Sequence, residues 1–282
     1  MALIALTSAK GAPGVSTTAL AMTLLWPGRV LLIECDPAGG SSVLAGYLRG
    51  TVDHSRGLLG LVMAHHQDEL EQHLWSQTVP LTEPAGGGQV ERWVLPGLSD
   101  AAQAPSCSPL WSSLGSLLSG VERDGVDVLV DAGRLGAAHA PTPLLRQADL
   151  VLLVMGSDLP AVAAVRARLA VLREQLSVAD SELSSRVGLL LVGEGRPYTA
   201  REITGSLGIP VVASLAWDPD SAQVFSAGAD AGRRVAVGPL VRSTRGAIGA
   251  CQELIARRQD RIAPPSGRVS PVAARLLGQA AR

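Results

Sequence analysis

Unbroken apolar runs, set between helical stretches, restrict this chain to a small set of architectures. Residues 2–7 (ALIALT), 29–35 (RVLLIEC), 125–131 (GVDVLVD), 148–155 (ADLVLLVM) and 186–192 (RVGLLLV) are short and apolar almost throughout. A strand with one wet face alternates polar and apolar residues. Runs without that alternation read as strands buried on both faces, the condition of a parallel sheet covered by helices on each side. Residues 89–95 (QVERWVL) and 210–215 (PVVASL) read as two more strands. Helical segments are expected at 16–25, 57–75, 110–121, 158–176, 199–207 and 239–259, the fourth capped by Ser157 or Asp158. The alternation predicts an α/β fold, a doubly wound, mainly parallel sheet flanked by helices, as one domain over residues 1–262. Aromatic residues make up only 3% of the chain, so the core must be aliphatic.

The first strand runs into the stretch Ser8–Thr18 (SAKGAPGVSTT) and then into a helix. A glycine-rich turn at that junction grips phosphate, because free backbone N–H groups and the positive end of the helix dipole converge there. The spacing is nearly that of the P-loop, G-x-x-x-x-G-K-[ST]. Gly14 and Ser16 are in register, whereas Val15 occupies the lysine slot and Ala9 the first glycine slot. Lys10, five residues before Val15, is the only lysine among 24 basic residues. A lysine offers a compact charge on a thin stem, which suits a crowded phosphate turn better than the planar fork of arginine. Val15 removes a charge-assisted contact worth about 1.5–3 kcal/mol, and Pro13 removes one backbone donor.

Two acidic strand ends follow in order. The second run closes on Glu34-Cys35-Asp36-Pro37-Ala38-Gly39, and carboxylates at the carboxyl ends of parallel strands lie where open α/β sheets bind ligands. Asp36-Pro37 also satisfies the ordinary chemistry of a turn that ends a strand. Residues 125–131 end on Asp131, which either holds magnesium beside the glycine turn or simply ends a buried strand at a turn-forming residue, and Ala132-Gly133-Arg134 come next. Arg134 belongs to no motif, and contact with phosphate, contact with a partner and capping of the next helix are all open to it. Trp217 either stacks on a nucleobase or fills the core.

Taken together, these pieces resemble the MinD/ParA family of deviant Walker A ATPases, over about residues 2–230. Ala9-Lys10-Gly11-Ala12-Pro13-Gly14-Val15-Ser16-Thr17 stands where that family has x-K-G-G-x-G-K-[ST]. The resemblance implies nucleotide contacts at Lys10, Gly11, Ala12, Gly14, Val15, Ser16 and Thr17, with magnesium at Ser16 and Asp131. It further implies that Lys10 reaches phosphate across a homodimer interface and that Asp36 orients the attacking water. ATP and Mg2+ are the cofactors implied, at a weakened site with slow hydrolysis. The implied function is a dimerisation switch that positions a cargo. Divergent relatives of the TadZ/CpaE type, which localise pilus or secretion machinery, imply an alternative scaffold role. A ligase resembling dethiobiotin synthetase needs polar substrate loops, and no such set stands out. The family's adenine-reading asparagine is absent from Val192-Gly193-Glu194-Gly195.

Other features narrow the setting. Cys35, Cys107 and Cys251 are odd in number and widely spaced, giving neither a disulfide framework nor a metal spacing, so a reducing cytoplasm is expected. No apolar run approaches the roughly 18 residues that cross a bilayer. His65, Glu69 and His73 recur every fourth residue, a spacing that a solvated helix face shows as readily as a metal site. Residues 233–282 carry ten arginines against Glu253 and Asp260, a local balance of +8 in a chain of net charge −1. That region suits nucleoid DNA or an anionic membrane surface as a peripheral partner, and its scattered arginines equally suit a solvated basic face with no partner. Residues 263–282 read as a Pro/Gly linker and a basic tail.

Overall fold

The computed structural model describes residues 2–11, 13–81, 90–121, 124–176, 186–230 and 237–262. Expectations for Ala12, residues 82–89 and residues 263–282 therefore lie outside the described residues. In chain order the main elements are β1 (Leu3–Ser8), α1 (Val15–Leu25), β2 (Val30–Glu34), α2 (Leu58–His66), α3 (Leu70–His73), β3 (Val79–Pro80) and β4 (Arg92–Leu95). Next come α4 (Ala104–Cys107), α5 (Leu110–Val121), β5 (Asp127–Arg134), α6 (Thr142–Gln147), β6 (Leu150–Gly156) and α7 (Leu159–Leu176). The chain continues through β7 (Val187–Val192), α8 (Ala200–Leu207), β8 (Val211–Leu215), α9 (Pro219–Ala227) and α10 (Pro239–Ile262).

Among the described residues the strands form one sheet in the order β3-β4-β2-β5-β1-β6-β7-β8. Every neighbouring pair is parallel except β3 with β4. From β1 the chain fills one side of the sheet, returns as β5 beside β1, and then crosses to β6, β7 and β8 on the other side. The carboxyl end of β1 therefore faces a point where the winding reverses, the usual ligand crevice of such sheets. Alternation of side chains explains the unbroken apolar runs. Leu3 and Ala5 join the core under α2, α5 and α7, whereas Ile4 and Leu6 join the core under α1 and α10. At the opposite end of the strands, one Asp127 carboxylate accepts the Ala2 amide at 2.7 Å and the fully buried Trp26 indole N–H at 2.8 Å. That bond pair ties β1, β5 and the end of α1 together.

The structure differs from expectation in a few elements. The single helix expected over 57–75 is broken, because Asp68 adopts φ 59° between α2 and α3. His65, Glu69 and His73 therefore do not share one helix face, and among the described residues no group of metal-binding side chains gathers there. Strand β3, two residues long and ending in Pro80, lacks the length that would mark it in sequence, so residues 186–192 form the seventh strand rather than the sixth. Helices α6 and α9 also went unforeseen, though each carries proline in its first turn. Asp158, not Ser157, caps α7 by accepting the Ala161 amide at 2.8 Å. No described helix is long and apolar enough to cross a membrane.

Candidate functional site

The turn after β1 has the shape of a phosphate cradle. Gly14 sits at φ 92°, ψ 32°, immediately before α1, and no side chain caps that helix. The Thr18 amide makes the first helical bond, to the Gly14 carbonyl at 2.9 Å. The preceding amides of Val15, Ser16 and Thr17 have no carbonyl within the helix to receive them. A Cβ placed on Gly11 or Gly14 would meet nothing within 4 Å among the described residues, so the mouth of the turn is open. Lys10 and Gly11 are exposed and line a cleft of about 260 Å3 with Gly156, Asp158 and Trp217. The Val15 side chain turns the other way, 7% exposed and packed with Ile4, Leu6 and Ala19 in the core under α1.

Beneath the turn lies an acidic floor. Glu34 and Asp131 are register partners on β2 and β5, and they are 6% and 3% exposed. Burial pushes the Asp131 carboxyl up to about 7. Hydrogen bonds from the Ser16 hydroxyl and from the Gly133 amide, at 3.0 Å, pull it back in part, and the charges of Glu34 and Asp36 push it up again. Burial likewise raises Glu34, although the Ser41 hydroxyl and the amides of Val43 and Gly97, both at 3.3 Å, donate to it. Glu34 is thus a structural carboxylate that anchors the loops after β2 and β4. Asp36 accepts the Ala38 amide at 2.9 Å. Its carboxyl group lies so close to Gly133 that a Cβ there would approach within 2.4 Å. Cys35, enclosed by this negative charge, is held well above the usual thiol range, first by burial and then by Asp131.

These donors fit a magnesium-bound nucleotide. Ser16 and Asp131 present a hydroxyl and a buried carboxylate side by side, the oxygen donors a hard divalent cation takes. A carboxylate pushed up to about 7 by burial, and further by the charges of Glu34 and Asp36, lacks a compensating positive charge, which such a cation supplies. The open amides at the start of α1, with Lys10 beside them, suit the phosphates.

A second cleft, of about 330 Å3, extends from the same turn and is lined by Gly14, Thr17, Trp217, Asp218 and Gln223. Trp217 is 58% exposed, so it does not fill the core. The Arg196 guanidinium lies 4.8 Å from its ring centre, in cation–π contact. The Ser157 hydroxyl donates to the Gly193 carbonyl at 2.6 Å and accepts the Arg196 amide at 2.9 Å, holding the loop after β7 against Trp217. Arg196 and Gln223 escaped sequence reasoning. The signal for Gln223 was present: Asp218-Pro219 is a helix cap followed by an N1 proline, and the Asp218 carboxylate accepts the Ser221 amide at 3.2 Å.

The structure thus brings Lys10, Gly11, Gly14, Ser16, Thr17, Asp36 and Asp131 to one end of the sheet, while Val15 contributes its backbone only. No family model matches the chain, and no curated protein matches it significantly. Solved structures do. The cell division ATPase MinD of Pyrococcus furiosus is similar at 17% identity and TM-score 0.64, over 90% of this chain and 100% of that one. A ParA family ATPase from Chlorobium tepidum matches at 16% identity and TM-score 0.65, over 88% and 98%. The Cyanothece McdA(D38A)–ATP complex matches at 14% identity and TM-score 0.61, over 89% and 96%. With its parallel sheet, its glycine turn and these neighbours, the chain has the MinD/ParA form of the P-loop NTPase fold.

Proposed function

We propose that this chain is a nucleotide-operated dimerisation switch that positions a protein cargo, binding Mg2+-ATP at a weakened site and hydrolysing it slowly. The observation that carries the reading is the open first turn of α1 directly above the bonded pair Ser16–Asp131. In this reading the amides of Val15, Ser16 and Thr17 receive phosphate oxygens, while Ser16 and Asp131 hold the magnesium. When bound, the metal neutralises phosphate charge and orients the triphosphate. Lys10 reaches the phosphates, by resemblance those of a second copy of the chain, and Asp36 orients water. Hydrolysis is slow because no cation projects from position 15, where charge grows in the transition state. The match to an ATP complex of McdA supports the choice of nucleotide. The basic C-terminal region gives the switch a surface for nucleoid DNA or an anionic membrane.

The inward packing of Val15 favours one competing reading, a scaffold of the same fold that binds no nucleotide. Calorimetric titration with Mg2+-ATP separates the two. Micromolar binding that Lys10→Ala weakens by about tenfold or more supports the switch. No heat of binding at millimolar ATP leaves the scaffold.

A further inference from the structure

We propose that Arg134 supplies, from within the chain, the cation for the terminal phosphate that position 15 no longer provides. The inference rests on the nucleotide reading above and names a residue which that reading does not use.

The backbone around Arg134 is tied to the base of the phosphate turn. Arg134 pairs in register with Ser8, the last residue of β1. On one side of it the Thr7 hydroxyl donates to the Gly133 carbonyl at 3.0 Å, and on the other the Leu135 amide donates to the Ser8 carbonyl at 2.9 Å. Gly133 adopts φ 62° and turns the chain, so β5 passes from buried residues to an exposed Arg134 in one step. Arg134, Asp36 and Gly11 line a common cleft of about 390 Å3. Lys10 lines the cleft on the other flank of Gly11. The glycine turn is thus bracketed by two cations, an ammonium on one side and a guanidinium on the other.

Among the described residues no carboxylate pairs with the Arg134 side chain, although Asp36 lines the same cleft. The Asp36 carboxylate instead accepts the Ala38 amide and rests against Gly133. A planar cationic fork, held by its backbone beside the glycine turn and not paired with the carboxylate that shares its cleft, suits a phosphate that it can grip with two parallel hydrogen bonds. The open helix amides serve the phosphates within the turn. The Asp36 side of Gly11 remains for the terminal one. A chain that uses arginine at every basic position but one would place a replacement cation in this form.

The test is calorimetry of the full chain with Mg2+-ATP and, separately, Mg2+-ADP, for wild type, Arg134→Ala and Arg134→Lys. Arg134→Ala is expected to weaken ATP binding by roughly tenfold to a hundredfold and ADP binding by less than about threefold. Arg134→Lys should recover only part of the preference for ATP, because an ammonium keeps the charge and loses the paired hydrogen bonds. Thermal melting of the ligand-free variants should match wild type, since the side chain is exposed. Unchanged ATP affinity in Arg134→Ala, or equal losses for ATP and ADP, overturns the inference while leaving the nucleotide reading intact. Failure of the wild type to bind either nucleotide at millimolar concentration overturns the nucleotide reading, and this inference with it.

Discussion

Asp131 shows how much of this site is decided by single side chains. Its carboxyl is pushed up to about 7 by burial and by the neighbouring charges of Glu34 and Asp36, whereas an unfolded aspartate titrates near 4. Between those pH values the folded chain holds a proton that the unfolded chain has released. Stability from this group is therefore complete below about pH 4 and is lost as pH rises through about 7. Urea unfolding of chelator-treated protein should show a fall of about 2 kcal/mol from this group between pH 5.5 and 8. Asp131→Asn, which keeps the acceptor for Ser16 and Gly133, should remove that part of the slope. A slope identical in the two proteins would show that Asp131 is ionised throughout. That Lys10, Ser16 and Asp131 gather at the carboxyl end of the sheet was legible in the sequence, because each closes or follows an obvious strand. The contact of Arg196 with Trp217 was not, since Arg196 is an ordinary polar residue whose neighbours are set by the fold.

At the scale of elements, the join between β1 and α1 depends on one backbone conformation. At Gly14 a methyl group would meet nothing within 4 Å among the described residues, so the left-handed backbone sets the cost of Gly14→Ala, about 1–2 kcal/mol by urea unfolding. An unchanged midpoint would mean that the turn relaxes out of its left-handed shape at Gly14. Gly133→Ala carries the same backbone cost at φ 62° and drives the new methyl into the Asp36 carboxyl group. That variant should lose at least as much stability and show a displaced Asp36 in a crystal structure. Unbroken runs such as ALIALT and ADLVLLVM identified their strands because burial on both faces admits nothing polar. The break between α2 and α3 was hidden, since residues 57–75 keep helical periodicity across a residue that turns left-handed. Strand β3 exists only because β4 lies beside it to pair Val79 with Val94.

At the scale of the whole molecule, the described elements close a complete sheet before residue 263. Removing residues 263–282 should therefore leave the unfolding free energy from urea titration within about 0.5 kcal/mol of the full chain. That segment carries Arg268, Arg275 and Arg282 with no acidic residue. If it contacts DNA, its loss should lower the slope of log affinity against log salt by up to about 3. An unchanged slope would place any DNA contact on the folded domain. Sedimentation should also find a dimer with Mg2+-ATP and a monomer with Mg2+-ADP for the wild type, with Lys10→Ala remaining monomeric in both. A wild type that stays monomeric with saturating ATP would remove the dimer from the proposed mechanism.

Local chemistry carried by the chain itself determined the sheet class, the glycine turn before α1 and the acidic strand ends. Periodicity, glycine placement and charge are properties of neighbouring residues, and they survive without knowledge of the rest. Strand order, the inward packing of Val15 and the grouping of Gly11, Asp36 and Arg134 in one cleft were decided only by the tertiary structure. Those depend on how strands far apart in sequence align, because register across β1, β2 and β5 sets which side chains emerge together at the carboxyl end of the sheet.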